Sequence, residues 1–388
     1  MTDTVTGAPI EGFTAPRFAG VREAFAENFR RAGDYREVGA AIAVFHRGKC
    51  VVDLWGGHAD AARTRPWKRD TLVNVWSATK GATATAVAAL VDRKKIAYDD
   101  KVASVWPEFA QGGKADVTIA QLMSHQAGLP GFAEPTSVDD ELDFDGCVAK
   151  LARQAPAWPP GTASSYHAMT FGWLAGEVIR RVCGRSPGQF IAEAVAKPLS
   201  ADIFVGLPMA LDHRAAETIP PISQPDMSGL DLPPAALMAL ANPVQDPAAP
   251  NRPGWRAAEI PAANGQASAM GLARLYAALA AGGALDGARI LSPSTVARMT
   301  APATHSGRTD MFLGFVDSWG MGVALNTPGI YGPNPRAFGH SGWGGSFGCA
   351  DPDARLAIGY VCNQMGPDLV GDPRTGPLCE AALKAAKA

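Results

Sequence analysis

Val73-Asn74-Val75-Trp76-Ser77-Ala78-Thr79-Lys80 decides how this chain is to be read. The stretch ends in Ser-x-x-Lys and runs into an Ala/Val/Leu-rich segment, 83–93, without proline, which closes before Ile96-Ala97-Tyr98-Asp99 and has the length of a buried helix. Three residues along a helix put two side chains on one face, within reach of each other. A serine hydroxyl is a weak nucleophile until a base takes its proton. A lysine buried near a helix N-terminus can be that base, because desolvation and the positive end of the helix dipole both disfavour its ammonium form. Ser77, on the first helical turn, and Lys80 are therefore read as nucleophile and base. A serine three positions before a lysine also arises by chance, but here the pattern occurs once and in the required context.

Upstream, 39–55 reads as two strands, Ala41-Ile42-Ala43-Val44-Phe45 and Cys50-Val51-Val52-Asp53-Leu54-Trp55, joined through His46-Arg47-Gly48-Lys49. Downstream, helices are expected over 119–124, 142–154, 170–183, 188–196, 271–281 and 294–299. Ten prolines between 220 and 261 exclude regular helix or central strand over most of that stretch, which predicts a long ordered loop. Strand signals return at 321–326, 346–350 and 355–363, before a helix over 377–387. A short hairpin cannot bury itself, so the N-terminal strands are expected to pair with the C-terminal ones. The expected fold is α+β. An antiparallel sheet domain from 1–75 and 295–388 is flanked by helices, a mainly helical domain 76–294 is inserted, and the active site lies at their junction.

Apolar residues make up 47% of the 388 and charged ones 19%, enough for a large core and unlike a disordered chain. With 35 basic against 37 acidic residues, and no Lys/Arg cluster that could follow a phosphate backbone, no nucleic acid partner is expected. The first twenty residues lack a basic leader and an apolar run, and no apolar stretch approaches the roughly 20 residues that span a bilayer. A cytoplasmic protein without a membrane partner is expected. The six cysteines show no Cys-x-x-Cys spacing and read as buried thiols, and the seven histidines form neither His-x-His nor His-Glu-x-x-His, so neither metal nor cofactor is expected.

Tyr166 follows Trp158-Pro159-Pro160-Gly161-Thr162 and precedes the helix over 170–183. From that loop a phenol can face Ser77 and pass the proton between nucleophile and leaving group. By itself it reads as a core-edge tyrosine; the pairing with Ser77 gives it a role. His340-Ser341-Gly342-Trp343-Gly344-Gly345 is a small-residue run entering a strand, whose backbone N–H groups can form an oxyanion hole with that of Ser77. It reads equally as a turn between strands, with His340 a hydrogen-bonding loop residue. Gly344-Gly345-Ser346-Phe347-Gly348 meets the Gly-x-Ser-x-Gly pattern of α/β-hydrolases, yet no histidine follows it and a strand does, so Ser346 is read as a strand residue.

In this order and at these separations, the three elements resemble the active-site motifs of the serine β-lactamase, DD-peptidase and family VIII carboxylesterase superfamily. Gln121-Leu122-Met123-Ser124-His125-Gln126-Ala127-Gly128-Leu129 is similar to that family's Leu-Leu-Thr-His-Thr-Ser-Gly segment, and 264–269 resembles the glycine-rich turn before its next helix. The resemblance spans about 39–363. It implies Ser77 and Lys80 as nucleophile and lysine, Tyr166 as the second-motif tyrosine, and an oxyanion hole from the backbone N–H groups of Ser77 and Trp343. The third motif, usually Lys-Thr-Gly, is His340-Ser341-Gly342 here, which resembles the esterase and amidohydrolase branches. Ala168 stands where the second motif commonly has an asparagine that contacts the substrate amide. Both departures remove groups suited to lactams and their carboxylates, and favour neutral esters.

The expected function is hydrolysis of short-chain carboxylic esters, or of related amides, through a Ser77 acyl-enzyme, with weak β-lactamase activity beside it. A β-lactamase, DD-peptidase or amide hydrolase of the same fold, and a non-catalytic binding protein, are the alternatives. His340, Ser341, Gly342, Trp343 and Trp255 are expected to contact substrate, Trp255 through a proline-rich loop over the acyl pocket.

Overall fold

The computed structural model describes residues 4–5, 8–223, 232–304, 307–316 and 318–387; Pro225 of the proline-rich stretch and His305 lie outside them. At its centre is an antiparallel sheet of β1 (Glu11–Thr14), β2 (Gly39–His46), β3 (Lys49–Gly57), β4 (Ala324–Leu325), β5 (Phe338–Ser341), β6 (Phe347–Asp351) and β7 (Leu356–Cys362). Their spatial order is β4-β5-β6-β7-β2-β3-β1. Five helices bear on the site: α1 (Ala19–Asn28), α2 (Thr79–Asp92), α3 (Thr170–Cys183), α4 (Ala269–Ala280) and α5 (Thr375–Lys387).

The β2–β3 hairpin turns through Arg47 and Gly48, both at positive φ, the mirror-image turn that matches strand twist. Strand β7 places Ile358 opposite Val44 and Tyr360 opposite Ile42, so the two ends of the chain share one sheet, as expected from the sequence. Side-chain alternation then sorts the two faces. Ile42, Val44, Leu54 and Ile358 point toward Phe25 and Phe29 of the α1 region and Leu378 and Leu383 of α5. Ala41, Ala43, Phe45 and Val361 point the other way, into the larger core that holds Leu272, Leu275 and Tyr276 of α4. Helix α4 falls within 76–294, the stretch assigned above to a helical domain. It packs on the sheet instead, because only the sheet can cover its apolar face.

Helix α2 is buried from Thr79 to Leu90 and packs beside α3. The proline-rich stretch is not a plain loop: it holds helices Pro234–Ala241 and Pro253–Ala257. Each opens on proline, at the position where the missing N–H has no helical partner to lose. Strands β1 and β5 were not anticipated, and β4 is shorter than 321–326. No helix among the described residues is long and apolar enough to cross a membrane.

Candidate active site

Trp76–Ala78 forms a 3-10 turn and α2 begins at Thr79, so Ser77 stands just ahead of the α-helix rather than in its first turn. Trp76 has a φ of 44°, a conformation that costs a bulky residue on the order of 1–3 kcal/mol. Packing holds it there: its ring centroid lies 5.7 Å from that of Trp255 and 5.1 Å from that of Trp343. Thr79 Oγ1 donates to the Trp76 carbonyl at 2.5 Å and accepts from Gly265 N at 2.9 Å, tying the turn to the segment before α4.

Lys80 is fully buried, and its Nζ lies 3.0 Å from Ser77 Oγ, 2.6 Å from the Ala168 carbonyl and 3.0 Å from the Ala262 carbonyl. Carbonyls only accept, so the amine must donate to both. The third contact is a hydroxyl, which can donate. A neutral amine with two N–H groups committed to carbonyls therefore turns its lone pair toward Ser77. Burial favours that form, holding Lys80 well below the ordinary lysine value.

Tyr166 shares a cavity with Ser77, and its ring centroid is 4.8 Å from Lys80 Nζ. The ring stacks on Trp319, 5.2 Å away and 4° from parallel. Asp310, fully buried, organises this wall: Oδ1 accepts from the backbone N–H groups of Tyr166 (3.0 Å), Phe312 (2.9 Å) and Leu313 (3.0 Å), and Oδ2 accepts from Trp319 Nε1 (3.2 Å). Nothing around Asp310 in the sequence signals this role. Behind Tyr166, His167 N donates to His125 Nδ1 (3.2 Å), His167 Nδ1 donates to the Ser165 carbonyl (2.6 Å), and Leu129 N donates to His167 Nε2 (3.1 Å). Burial pushes His167 down to about 4 and His125 well below the imidazole range, so both act as neutral struts.

Asp310→Ala leaves four donors without their acceptor, two of them, Tyr166 N and Trp319 Nε1, buried. It is expected to lower stability by about 2–4 kcal/mol in urea unfolding and to slow fluorophosphonate labelling of Ser77 by roughly tenfold or more in the folded protein. An unchanged labelling rate would show that Tyr166 is held by something other than this carboxylate.

His340 and Ser341 end β5, residues 342–346 turn, and β6 begins at Phe347, so the third motif leaves one strand before it enters the next. Ser346 belongs to that turn, not to a strand; it is buried, and its Oγ accepts from Cys362 N at 3.2 Å. A Cβ at Gly342 would overlap the Val75 carbonyl oxygen, so the turn lies directly on the one bearing Ser77. His340 Nδ1 donates to the Ser341 carbonyl at 2.9 Å, and burial, with Lys80 nearby, pushes its pKa down to about 3. A neutral imidazole stands where the resemblance would place a lysine.

Ser77, Tyr166, His340, Ser341 and Trp343 line one cavity of about 30 Å³. Leu313, Phe315, Trp319, Ile330, Leu369 and Val370 supply most of its apolar wall, and among the described residues no Asp, Glu, Lys or Arg lines it. Gly342 abuts the serine turn but does not line the cavity. Trp255 does not reach it either: the side chain is fully buried behind Trp76, and Nε1 donates to Asn74 Oδ1 at 3.3 Å. The expected substrate contact from Trp255 is thus corrected to a brace, since a large indole gains more from a packed core. No described residue of 220–261 lines the cavity; the segments 313–331 and 369–370 do. A groove of about 560 Å³ elsewhere runs among the ion-paired Arg69, Asp202, Arg274 and Asp286 and contains none of the candidate residues.

A sheet of this order, with a Ser-x-x-Lys helix beside it and a tyrosine facing the same cavity, defines the β-lactamase/transpeptidase-like class of folds. Residues 25–376 match the family model described as Beta-lactamase. A solved structure described as a family VIII carboxylesterase is 49% identical, with a TM-score of 0.91 over 97% of this chain and 99% of that one. A penicillin-binding protein homologue from Caulobacter crescentus is 45% identical, also with a TM-score of 0.91 and the same coverage. The esterase/beta-lactamase LipL of Mycobacterium tuberculosis is 38% identical over 95% of this chain and 86% of its own length. The chain belongs to the beta-lactamase family and is a serine hydrolase.

Proposed function

We propose that the enzyme is a carboxylesterase that cleaves neutral, short-chain esters through an acyl-enzyme on Ser77. The observation that carries this reading is the 3.0 Å approach of Lys80 Nζ to Ser77 Oγ, with the amine's other contacts taken up by the carbonyls of Ala168 and Ala262. The Ser77 proton passes to Lys80 as Oγ bonds to the ester carbonyl carbon. The resulting oxyanion takes hydrogen bonds from the backbone N–H groups of Ser77 and Trp343. When the C–O bond breaks, the departing alkoxide receives, through Tyr166, the proton that Lys80 took from Ser77, which returns the amine to its neutral form. Water then attacks the acyl-enzyme as Lys80 takes its proton, the bond between the acyl carbon and Oγ breaks, and Lys80 returns that proton to Ser77 as the acid leaves.

The preference for neutral esters rests on the cavity wall. Among the described residues it carries no cation to pair with the carboxylate of a penicillin or a peptidoglycan stem; His340 is held neutral, and Ala168 offers no side-chain amide. Ser77 comes from the turn just ahead of α2 and His340 from β5, which supports a site at the junction of the sheet and the helical stretch. Six free cysteines support a reducing compartment, the cytoplasm.

The test is a panel of p-nitrophenyl acetate, butyrate and octanoate, nitrocefin, and a D-Ala-D-Ala peptide, with intact-mass detection of the acyl-enzyme. The short esters are expected to exceed nitrocefin in kcat/KM by roughly 100-fold or more. Nitrocefin turned over faster than every ester would sink the proposal.

A further inference from the structure

Behind the third-motif turn, on the side away from Ser77, three charged side chains are sealed from solvent: Glu37 and Arg374 with no exposed surface and Asp372 with 5%. Every N–H of the Arg374 guanidinium is placed. Nε donates to Asp372 Oδ1 at 2.9 Å, and Nη1 donates to Glu37 Oε1 at 3.0 Å and to the Gln364 carbonyl at 2.8 Å. Nη2 donates to Asp372 Oδ2 at 2.7 Å and to the Gly344 carbonyl at 2.5 Å. The Tyr360 hydroxyl donates to the same Glu37 oxygen.

Burying such ions costs several kcal/mol each before pairing, and well-packed apolar replacements of a buried ionic cluster are often at least as stable. Stability is therefore a weak reason for this cluster. What an apolar cluster could not do is hold a peptide carbonyl of the active-site turn from behind. Gly344 is gripped on its other side as well: its N–H donates to the Asp368 carbonyl at 3.3 Å, and its carbonyl also accepts from Gly366 N at 3.1 Å. Gly345 has a φ of 111°, and a Cβ there would meet Arg374 Nη2 at 2.5 Å, so the turn is moulded against the guanidinium.

We propose that Arg374 is a positioning residue for the oxyanion turn: by fixing the Gly344 carbonyl it keeps the preceding residue, Trp343, with its backbone N–H aimed at the carbonyl oxygen of an ester bound at Ser77. This rests on the oxyanion role given to Trp343 above. A misplaced donor binds the tetrahedral state less well while leaving the ground-state complex largely intact.

The experiment compares wild type with Arg374→Lys, which keeps a cation between Glu37 and Asp372 but loses the planar fork that reaches Gly344 and Gln364 together. Active sites are titrated with a fluorophosphonate, and kcat, KM and the affinity for phenylboronic acid, whose tetrahedral Ser77 adduct presents an oxygen to the hole, are measured per titrated site. The expected result is a kcat lowered roughly 10- to 100-fold, KM within about threefold, and boronate affinity lowered in step with kcat/KM. A purely structural role would lower Tm and leave all three unchanged per site, and that result overturns the proposal. Should the lysine variant not fold, the neutral triple variant Glu37→Gln, Asp372→Asn, Arg374→Met carries the same expectation without leaving a charge unpaired. A wild type that forms no boronate adduct overturns both this proposal and the Ser77 reading; a wild type that forms one and a variant matching it overturns only the role of Arg374.

Discussion

Ser77→Ala is expected to lose all covalent labelling by fluorophosphonate and to lower ester turnover by roughly 10⁴- to 10⁶-fold, while folding normally. The size of the effect follows from what remains. Without Oγ no acyl-enzyme forms, and the residual rate must come from water attacking an ester that is only bound and polarised. Lys80 would remain buried behind position 77, but its amine would have no hydroxyl to deprotonate. Removing the oxygen should not harm the fold, because its partner Lys80 keeps both carbonyl acceptors. Intact mass after incubation with a p-nitrophenyl ester provides the check. An adduct on the alanine variant would move the nucleophile elsewhere.

Lys80→Met is expected to lower kcat/KM by roughly 10³- to 10⁴-fold, and Lys80→Arg to do no better, since a guanidinium stays protonated at every working pH. The wild-type enzyme should lose activity as pH falls through the depressed folded pKa of Lys80, because the ammonium cannot accept the serine proton. The same shift fixes a sign for stability. Unfolded, the lysine titrates at its ordinary 10.5; folded, burial lowers it. Between those two values the unfolded chain binds more protons, so stability rises with pH across that window, and below the folded value the full cost of burying the cation is present. Urea midpoints measured from pH 6 to pH 10 should show this rise in the wild type and a flatter curve in Lys80→Met. Parallel curves would mean that Lys80 is not desolvated in the native protein.

The sheet and its hairpin were legible because they rest on short-range patterns: β-branched alternation over 41–45 and 50–55, and a turn signal between them. Ser77 and Lys80 were legible because their spacing along one helix encodes their proximity. The remaining parts of the site depend on contacts between distant segments. Asp310 holds Tyr166 across 144 positions, and Arg374 reaches Glu37 across 337. Each looks like an ordinary surface charge in its own stretch of sequence. The carbonyls of Ala168 and Ala262 have no side-chain signature at all. Trp255 was misplaced for a related reason: proline density marks where regular structure is interrupted, not which way a neighbouring indole turns. The short β1 lacks an apolar run, and its residues are mostly exposed at the sheet edge.

The clamp on Lys80 is written in peptide groups, and this separates the base from the side chains in front of it. A change of side chain at 168 or 262 leaves the carbonyl oxygen where it was, so the proton-accepting amine survives substitutions that reshape what lies in front of it. Position 168 is also where the resemblance drawn from the sequence would place an asparagine in contact with substrate. A lineage can therefore exchange that side chain, and with it the range of acyl compounds it accepts, without first rebuilding the base.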